Sequence, residues 1–452
     1  MRSAHITTPA AFLAAIMIAI AAAPQAFAQT APPSPPVAAV DMDEEIGFWL
    51  ARTGRDPDDH ISPTRLGYAR LKKARASGNF RLYAEAETAF SQALARSPGH
   101  YTALLGLATA RAARHRFREA IDLGRQALSR QPEDADAYAV IGDAYLGLGE
   151  VAGAAEAYAE LEKRAPGFDA ATRRANLLAL RGQTRQAIAQ LRQAIAEGAS
   201  RSASADAIAW CHIQIGGMLF DTGDWPGAAA EYKAALALVP TSFVALEHTA
   251  ELHAAEGRDG EALRMYEQVI ATAPHPDFFE AVAKIHERGG RKEEAGRWYD
   301  RALAGYLEAV KQGDPGYYRP LALFYADVRP DGDAAVSWAR KDLELRQDPV
   351  AWSTLAWALS VKGDVAAAAE ASRKATASGI EDAHVWFRAG VIEAAAGNAA
   401  AARGALERAL KINPRFDRAE EARRLLSRLT AASFRLPASS QRIDKEVSCV
   451  LS

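Results

Sequence analysis

Residues 209–240 read AWCHIQIGGMLFDTGDWPGAAAEYKAALALVP. Two apolar stretches with helical spacing flank Gly223-Asp224. Gly enters the left-handed backbone region at least cost, so Gly223 marks the end of the first helix. Pro240 has no N–H to give and stops the second. Gly216 and Ala228 fall mid-helix, where a small residue lets two antiparallel helices touch, and Leu219 and Tyr232 fill the space around that contact. One pair of short helices cannot bury both of its faces, so the segment implies neighbours of the same kind.

The neighbours are present. Pro132, Pro166, Pro240, Pro274 and Pro414 each close a similar pattern, and two consecutive pairs of them are 34 residues apart. In that register nine units start at Tyr101, Ala135, Phe168, Ala209, Phe243, Pro276, Pro315, Pro349 and Ala383. Position 8 is always small, as at Gly142, Gly216 and Gly390. Position 20 is always Ala, as at Ala154, Ala228, Ala262, Ala295, Ala368 and Ala402. Position 15 is Gly in seven units, with His115 and Arg329 as the exceptions. A fixed period of this length signals a stacked repeat array rather than several globular domains.

The pattern resembles the tetratricopeptide repeat family. The unit of Trp210 carries it most fully, with Ile215-Gly216, Leu219, Gly223-Asp224-Trp225, Ala228, Tyr232, Ala235 and Pro240. A variant unit precedes the others. Leu66-Gly67 and Tyr68 open it, Ala86, Phe90, Ala93 and Pro98 close it, and about seven extra residues are expected between its helices. The resemblance covers roughly residues 62–414 and implies an all-α, right-handed superhelical solenoid of about ten helix-turn-helix repeats. The array is assigned to residues 59–416, interrupted near 197–208 and 303–314. Residues 417–432 form an amphipathic capping helix, 433–452 a tail, and residues 43–52 a possible cap for the first unit. Pro320 makes the unit of Pro315 the weakest.

Residues 1–28 read as a secretory signal. A weakly basic start precedes an apolar run too short to span a bilayer with ease, and Ala26-Phe27-Ala28 supplies a cleavage site before Gln29. Residues 29–58 begin with a Pro-rich leader. The expectation is an exported, periplasmic or secreted chain with no integral membrane segment after cleavage. Cys449-Val450-Leu451-Ser452 matches a prenylation box, but prenylation is cytosolic and conflicts with export. Cys211 and Cys449 read as separate thiols.

The net charge of -2 removes the electrostatic footprint of a nucleic-acid binder. The resemblance implies that first helices line a concave groove and that positions 2, 5, 9, 12 and 13 face it. On that basis Trp210, Ile213, Phe220, Glu247, Glu251, Glu280, Lys284, Trp357 and Phe387 are candidate partner-binding residues. Aromatic anchors beside carboxylates suit a peptide or helical segment of a partner protein. The alternative is a glycan or other non-protein ligand held by the aromatic patches. The family's carboxylate clamp and asparagine ladder are absent, the latter because the chain has four Asn. His253 and His286 share position 11 of adjacent units, with His212 and His248 nearby, but position 11 is a packing position and no H-E-x-x-H follows. No catalytic residue, metal site or cofactor is expected. Homo-oligomerisation is compatible with the resemblance.

Overall fold

The computed structural model describes residues 41–56, 58–200 and 203–434. The signal stretch, the Pro-rich leader, most of the C-terminal tail and Cys449 lie outside the described residues. No strand occurs among the described residues. No described helix is long and apolar enough to cross a membrane.

Helix α1 (Met42–Arg52) packs against α2 (Ile61–Ser77), which forms the first pair with α3 (Arg81–Arg96). Nine further pairs follow. They are α4 (Tyr101–Ala113) with α5 (Phe117–Arg130), α6 (Ala135–Gly147) with α7 (Val151–Arg164), and α8 (Phe168–Leu180) with α9 (Thr184–Ser200). Next come α10 (Ala205–Asp221) with α11 (Trp225–Leu238), α12 (Phe243–Ala255) with α13 (Asp259–Thr272), and α14 (Pro276–Arg288) with α15 (Lys292–Lys311). The last are α16 (Tyr318–Leu323) with α17 (Gly332–Leu345), α18 (Pro349–Lys362) with α19 (Val365–Thr376), and α20 (Ala383–Ala395) with α21 (Ala399–Ile412). Helix α22 (Ala419–Phe434) packs on α21.

Close approach within each pair explains the small residues. A Cβ on Gly216 would lie 2.3 Å from Tyr232 Cε1, one on Gly142 would lie 2.4 Å from Tyr158 Cε1, and one on Gly390 would lie 2.6 Å from Leu406 Cγ. Ala154, Ala228, Ala262, Ala295, Ala368 and Ala402 are all buried. The seven glycines at position 15 have φ between 71° and 90°, the left-handed region that a bulky residue avoids. His115 takes the same region at φ 57°, the one non-Gly residue to do so among those described. Its Nδ1 lies 3.3 Å from Asp314 Oδ1 and its ring packs edge-on to Phe117, so tertiary contacts hold it there. At Arg329 the turn is built differently. A π-helical turn, Phe324–Val328, precedes it, and the chain leaves at φ −125°.

Two expectations need correction. The extra residues of the first unit do not lengthen its inter-helix turn, which is only Gly78-Asn79-Phe80. They lengthen the helices, to 17 residues in α2 and 16 in α3. Pro320 does not interrupt a helix. A 3-10 turn, Pro315–Tyr317, comes first and places Pro320 in the first turn of α16, where its missing N–H costs nothing. A buried ion network fixes this unit: Arg319 Nε donates to Asp342 Oδ2 at 2.9 Å, Arg319 Nη2 to Asp348 Oδ2 at 3.0 Å, and Arg346 Nε lies 3.0 Å from Asp342 Oδ1.

First helices touch the first helices of adjacent units, while second helices make no comparable contact with one another. First helices therefore form the inner layer. That layer thins at two joints, between α8 and α10 and between α14 and α16, where the two insertions lie. The inserted residues extend α9 and α10 to 17 residues each and α15 to 20.

The superhelix closes on itself along its axis. Arg114 Nη2 donates to the Gln312 carbonyl at 3.0 Å, Thr184 Oγ1 to Glu381 Oε2 at 3.1 Å, and Asn413 Nδ2 to the Phe220 carbonyl at 3.3 Å. Phe80 and His275 rings are 5.0 Å apart, and Leu345 packs on the cluster of Phe117 and Leu148. The register is constant: each inter-helix turn of the first half meets the start of the sixth unit further on.

Two stability tests follow from this packing. Gly216→Val drives a branched side chain into the Tyr232 ring and is expected to cost about 1–3 kcal/mol. Gly217→Ala, with nothing within 4 Å of its new Cβ, should gain roughly 0.5–1 kcal/mol. Urea midpoints compare the two. Separately, Asp143 accepts from Arg173 Nε at 3.0 Å, Arg173 Nη2 at 3.1 Å and the Tyr158 hydroxyl at 2.8 Å, all buried. Asp143→Ala strands that guanidinium and is expected to lose about 3–5 kcal/mol, whereas Asp143→Leu with Arg173→Met should lose less, again by urea midpoint.

Candidate functional site

The inner faces of α10, α12, α14, α18 and α20 carry the nine residues expected to line a groove. Ser204, Ser242, Asp348 and Asp382 cap α10, α12, α18 and α20 by accepting from backbone N–H groups one turn in, which fixes where each helix begins. The structure buries seven of the nine: Ile213, Phe220, Glu247, Glu251, Lys284, Trp357 and Phe387. Trp210 and Glu280 are half-buried.

This corrects the expectation of open aromatic anchors. Trp357 Nε1 donates to Asp327 Oδ1 at 2.8 Å, and the Arg388 guanidinium lies 5.9 Å from its ring centre. Phe387 is covered by Phe416, 5.8 Å away, and by Arg418 at 5.0 Å. Phe220 stacks on Trp225 and its carbonyl is taken by Asn413 from the second superhelical turn. Ile213 belongs to the largest core cluster, and Trp210 packs against it. The physical reason is packing between adjacent units: Asp327 and Arg388 flank Trp357, Phe416 and Arg418 of the C-terminal segment cover Phe387, and the axial contact adds Asn413 at Phe220. Trp357, Phe387 and Phe220 leave no open ring face for a sugar to stack on, which removes the support for glycan recognition at those patches.

Several of the groups that remain accessible on the inner layer are acidic. Asp221 at the end of α10 is exposed, Glu280 is half-buried, and Glu287 is exposed while accepting from the Tyr299 hydroxyl at 2.7 Å. Asp221 has surface open to water yet is crowded by protein on the concave side. Desolvation there pushes its carboxyl up to about 7, with Asp382 and Glu251 acting in the same direction. Lys284 pairs with Glu280 one helical turn away. Tyr306 donates to both Asp277 Oδ1, at 2.7 Å, and Glu280 Oε2, at 2.9 Å. His384 Nε2 lies 2.7 Å from Asp417 Oδ1 and tethers the start of the C-terminal helix.

The structure gathers three residues that spacing alone did not join. Glu247, His248 and Glu251 on α12 bring their ligand atoms within 4.8 Å of one another, and all three are buried. Burial pushes the Glu247 carboxyl up to about 8, opposed by His248 and helped by Glu251 and Asp277. The shared position 11 pairs His253 with His286, both half-buried, and sets His248 beside them without joining it to Glu247 and Glu251. The usable signal was the i, i+1, i+4 order of Glu, His and Glu on one helix. Cys211 is fully buried, and burial pushes its thiol up to about 12, which leaves it a packing residue.

The tetratricopeptide repeat profile matches residues 71–128, 105–169, 218–263, 249–309 and 353–417, more than half of the chain. No curated protein matches by sequence. Among solved structures, a tetratricopeptide repeat protein from Parabacteroides merdae ATCC 43184 is similar at 18% identity, over 53% of this chain and 93% of that one, with a TM-score of 0.38. PilW, described as a widely conserved type IV pilus biogenesis factor, is similar at 18% identity, over 47% of this chain and 97% of that one, with a TM-score of 0.38. The human IFIT1 dimer with PPP-AAAA is similar at 12% identity, over 83% and 95%, with a TM-score of 0.44. Taken with the paired helices, the buried small residues and the left-handed glycines, the profile match establishes that the chain belongs to the tetratricopeptide repeat family.

Proposed function

We propose that the chain is an exported, non-enzymatic scaffold that holds a basic segment of a partner protein at the acidic, accessible part of its inner face, in envelope assembly, secretion or polysaccharide export. A tetratricopeptide repeat array supports a protein-interaction role in general. The observation that carries the finer reading is Asp221: an exposed carboxylate within a concave surface, with Asp382 and Glu251 close enough to add to its field. Carboxylates of one sign gathered in a concavity attract a basic segment and steer its approach. Half-buried Trp210 supplies apolar area on the same helix. Export rests on residues 1–28, whose apolar run and Ala26-Phe27-Ala28 fit a cleavable signal.

Two measurements test this. A photo-crosslinking residue placed at Asp221 should yield a discrete adduct with an envelope protein, while one at the exposed Lys233 on the second helix should not; equal labelling at both positions rejects the inner-face assignment. N-terminal sequencing of the chain recovered from periplasm or medium should begin at Gln29. Retention of Met1 on protein confined to the cytoplasm rejects export.

A further inference from the structure

Helix α12 holds an unexplained polar cluster. Glu247 and Glu251 are one turn apart and project from the same face. His248 Nδ1 lies 3.7 Å from Glu247 Oε2 and 3.5 Å from Glu251 Oε2. The three residues are 0%, 3% and 4% exposed. Neither oxygen of Glu247, neither ring nitrogen of His248 and not Oε1 of Glu251 makes a hydrogen bond. Five buried polar atoms without a hydrogen bond at one place, with His248 Nδ1 meeting the carboxylates only through long ion-pair contacts, is rare in a folded protein and calls for an unseen partner. No Lys or Arg bears on Glu247; the nearby Asp277 adds charge of the same sign.

We propose that Glu247, His248 and Glu251 form a binding site for one divalent transition-metal ion. Ligands about 2.1 Å from a tetrahedral ion stand roughly 3.4 Å from one another, near the 3.5 and 3.7 Å separations of His248 from the two carboxylates. The donor set of one imidazole and two carboxylates suits Zn2+ or Mn2+ better than the all-oxygen shells preferred by Ca2+ and Mg2+. The Tyr232 ring stacks on His248 with centroids 5.4 Å apart and planes 12° apart, which holds the imidazole in orientation. The Tyr232 hydroxyl is itself buried without a partner. Tyr232 is also the residue that packs on Gly216, so the site lies where one helix pair meets the next. Its role is to stabilise the middle of the array; it does not depend on the partner-binding reading above.

The test uses the mature, tag-free chain, stripped with chelator and titrated with Zn2+ or Mn2+ by calorimetry, with bound metal counted after desalting. One ion per chain and a raised Tm are expected. Glu247→Gln with Glu251→Gln should weaken binding at least 100-fold while the far-UV circular dichroism stays helical. His248→Gln, which keeps both carboxylates, should weaken it at least tenfold. His253→Ala with His286→Ala should leave it unchanged. No uptake by the wild-type chain overturns the proposal, as does uptake that survives the Glu247/Glu251 change or is lost with the His253/His286 change.

Discussion

In several of the pairs a ring from the second helix lies where a side chain on the first would have to be. Tyr232 over Gly216 and Tyr158 over Gly142 show the constraint most directly. Only a bare backbone or a methyl group lets the helices come this near, and the large ring then fills the volume that would otherwise be void. The left-handed turn at position 15 reverses the chain in a few residues and delivers the second helix in register for that contact. Once the pair is fixed, its remaining apolar surface has one place to go, which is the next pair. Inner and outer layers follow from that stacking.

A second level of packing then changes what the inner layer does. Because neighbouring units and the C-terminal segment close over them, the aromatic residues on first helices become part of the core. Trp357 gives its N–H to Asp327, and Phe387 sits under Phe416. The charged residues share the same fate to different degrees. Glu247 and Glu251 are buried, Lys284 is neutralised by Glu280, and Asp221 keeps contact with water. The accessible inner surface is thus narrower than a list of inward-facing positions implies.

The repeat period, the helix pairing and the small residues at positions 8 and 20 were legible because each rests on contacts within one unit or with the next. His115 shows where that legibility ends. Its left-handed backbone could be inferred from its place in the register, but what holds it there is Asp314, far along the chain. Trp357 and Phe387 were assigned to the correct layer and given the wrong surroundings, since their covers, Asp327, Arg388 and Phe416, come from other units or from the C-terminal segment. The extra residues of the first unit were counted correctly and misplaced, because a three-residue turn closed by Gly78 leaves the helices to absorb them. The Glu247, His248, Glu251 cluster was missed because the histidines were compared by repeat position rather than by what stands beside each on its helix.

The axial contacts also set how the chain folds and fails. An open solenoid is nearly one-dimensional: each unit answers only to its neighbours, and the array can fray from either end. Bonds such as Thr184 to Glu381 and Asn413 to Phe220 join residues 197 and 193 apart, which raises the contact order and demands closure of long loops before they form. During synthesis the first turn emerges with its axial edge unpartnered until the second is made. The finished molecule gains cooperativity from the same contacts, so loosening the last unit is felt at Phe220, halfway along the chain.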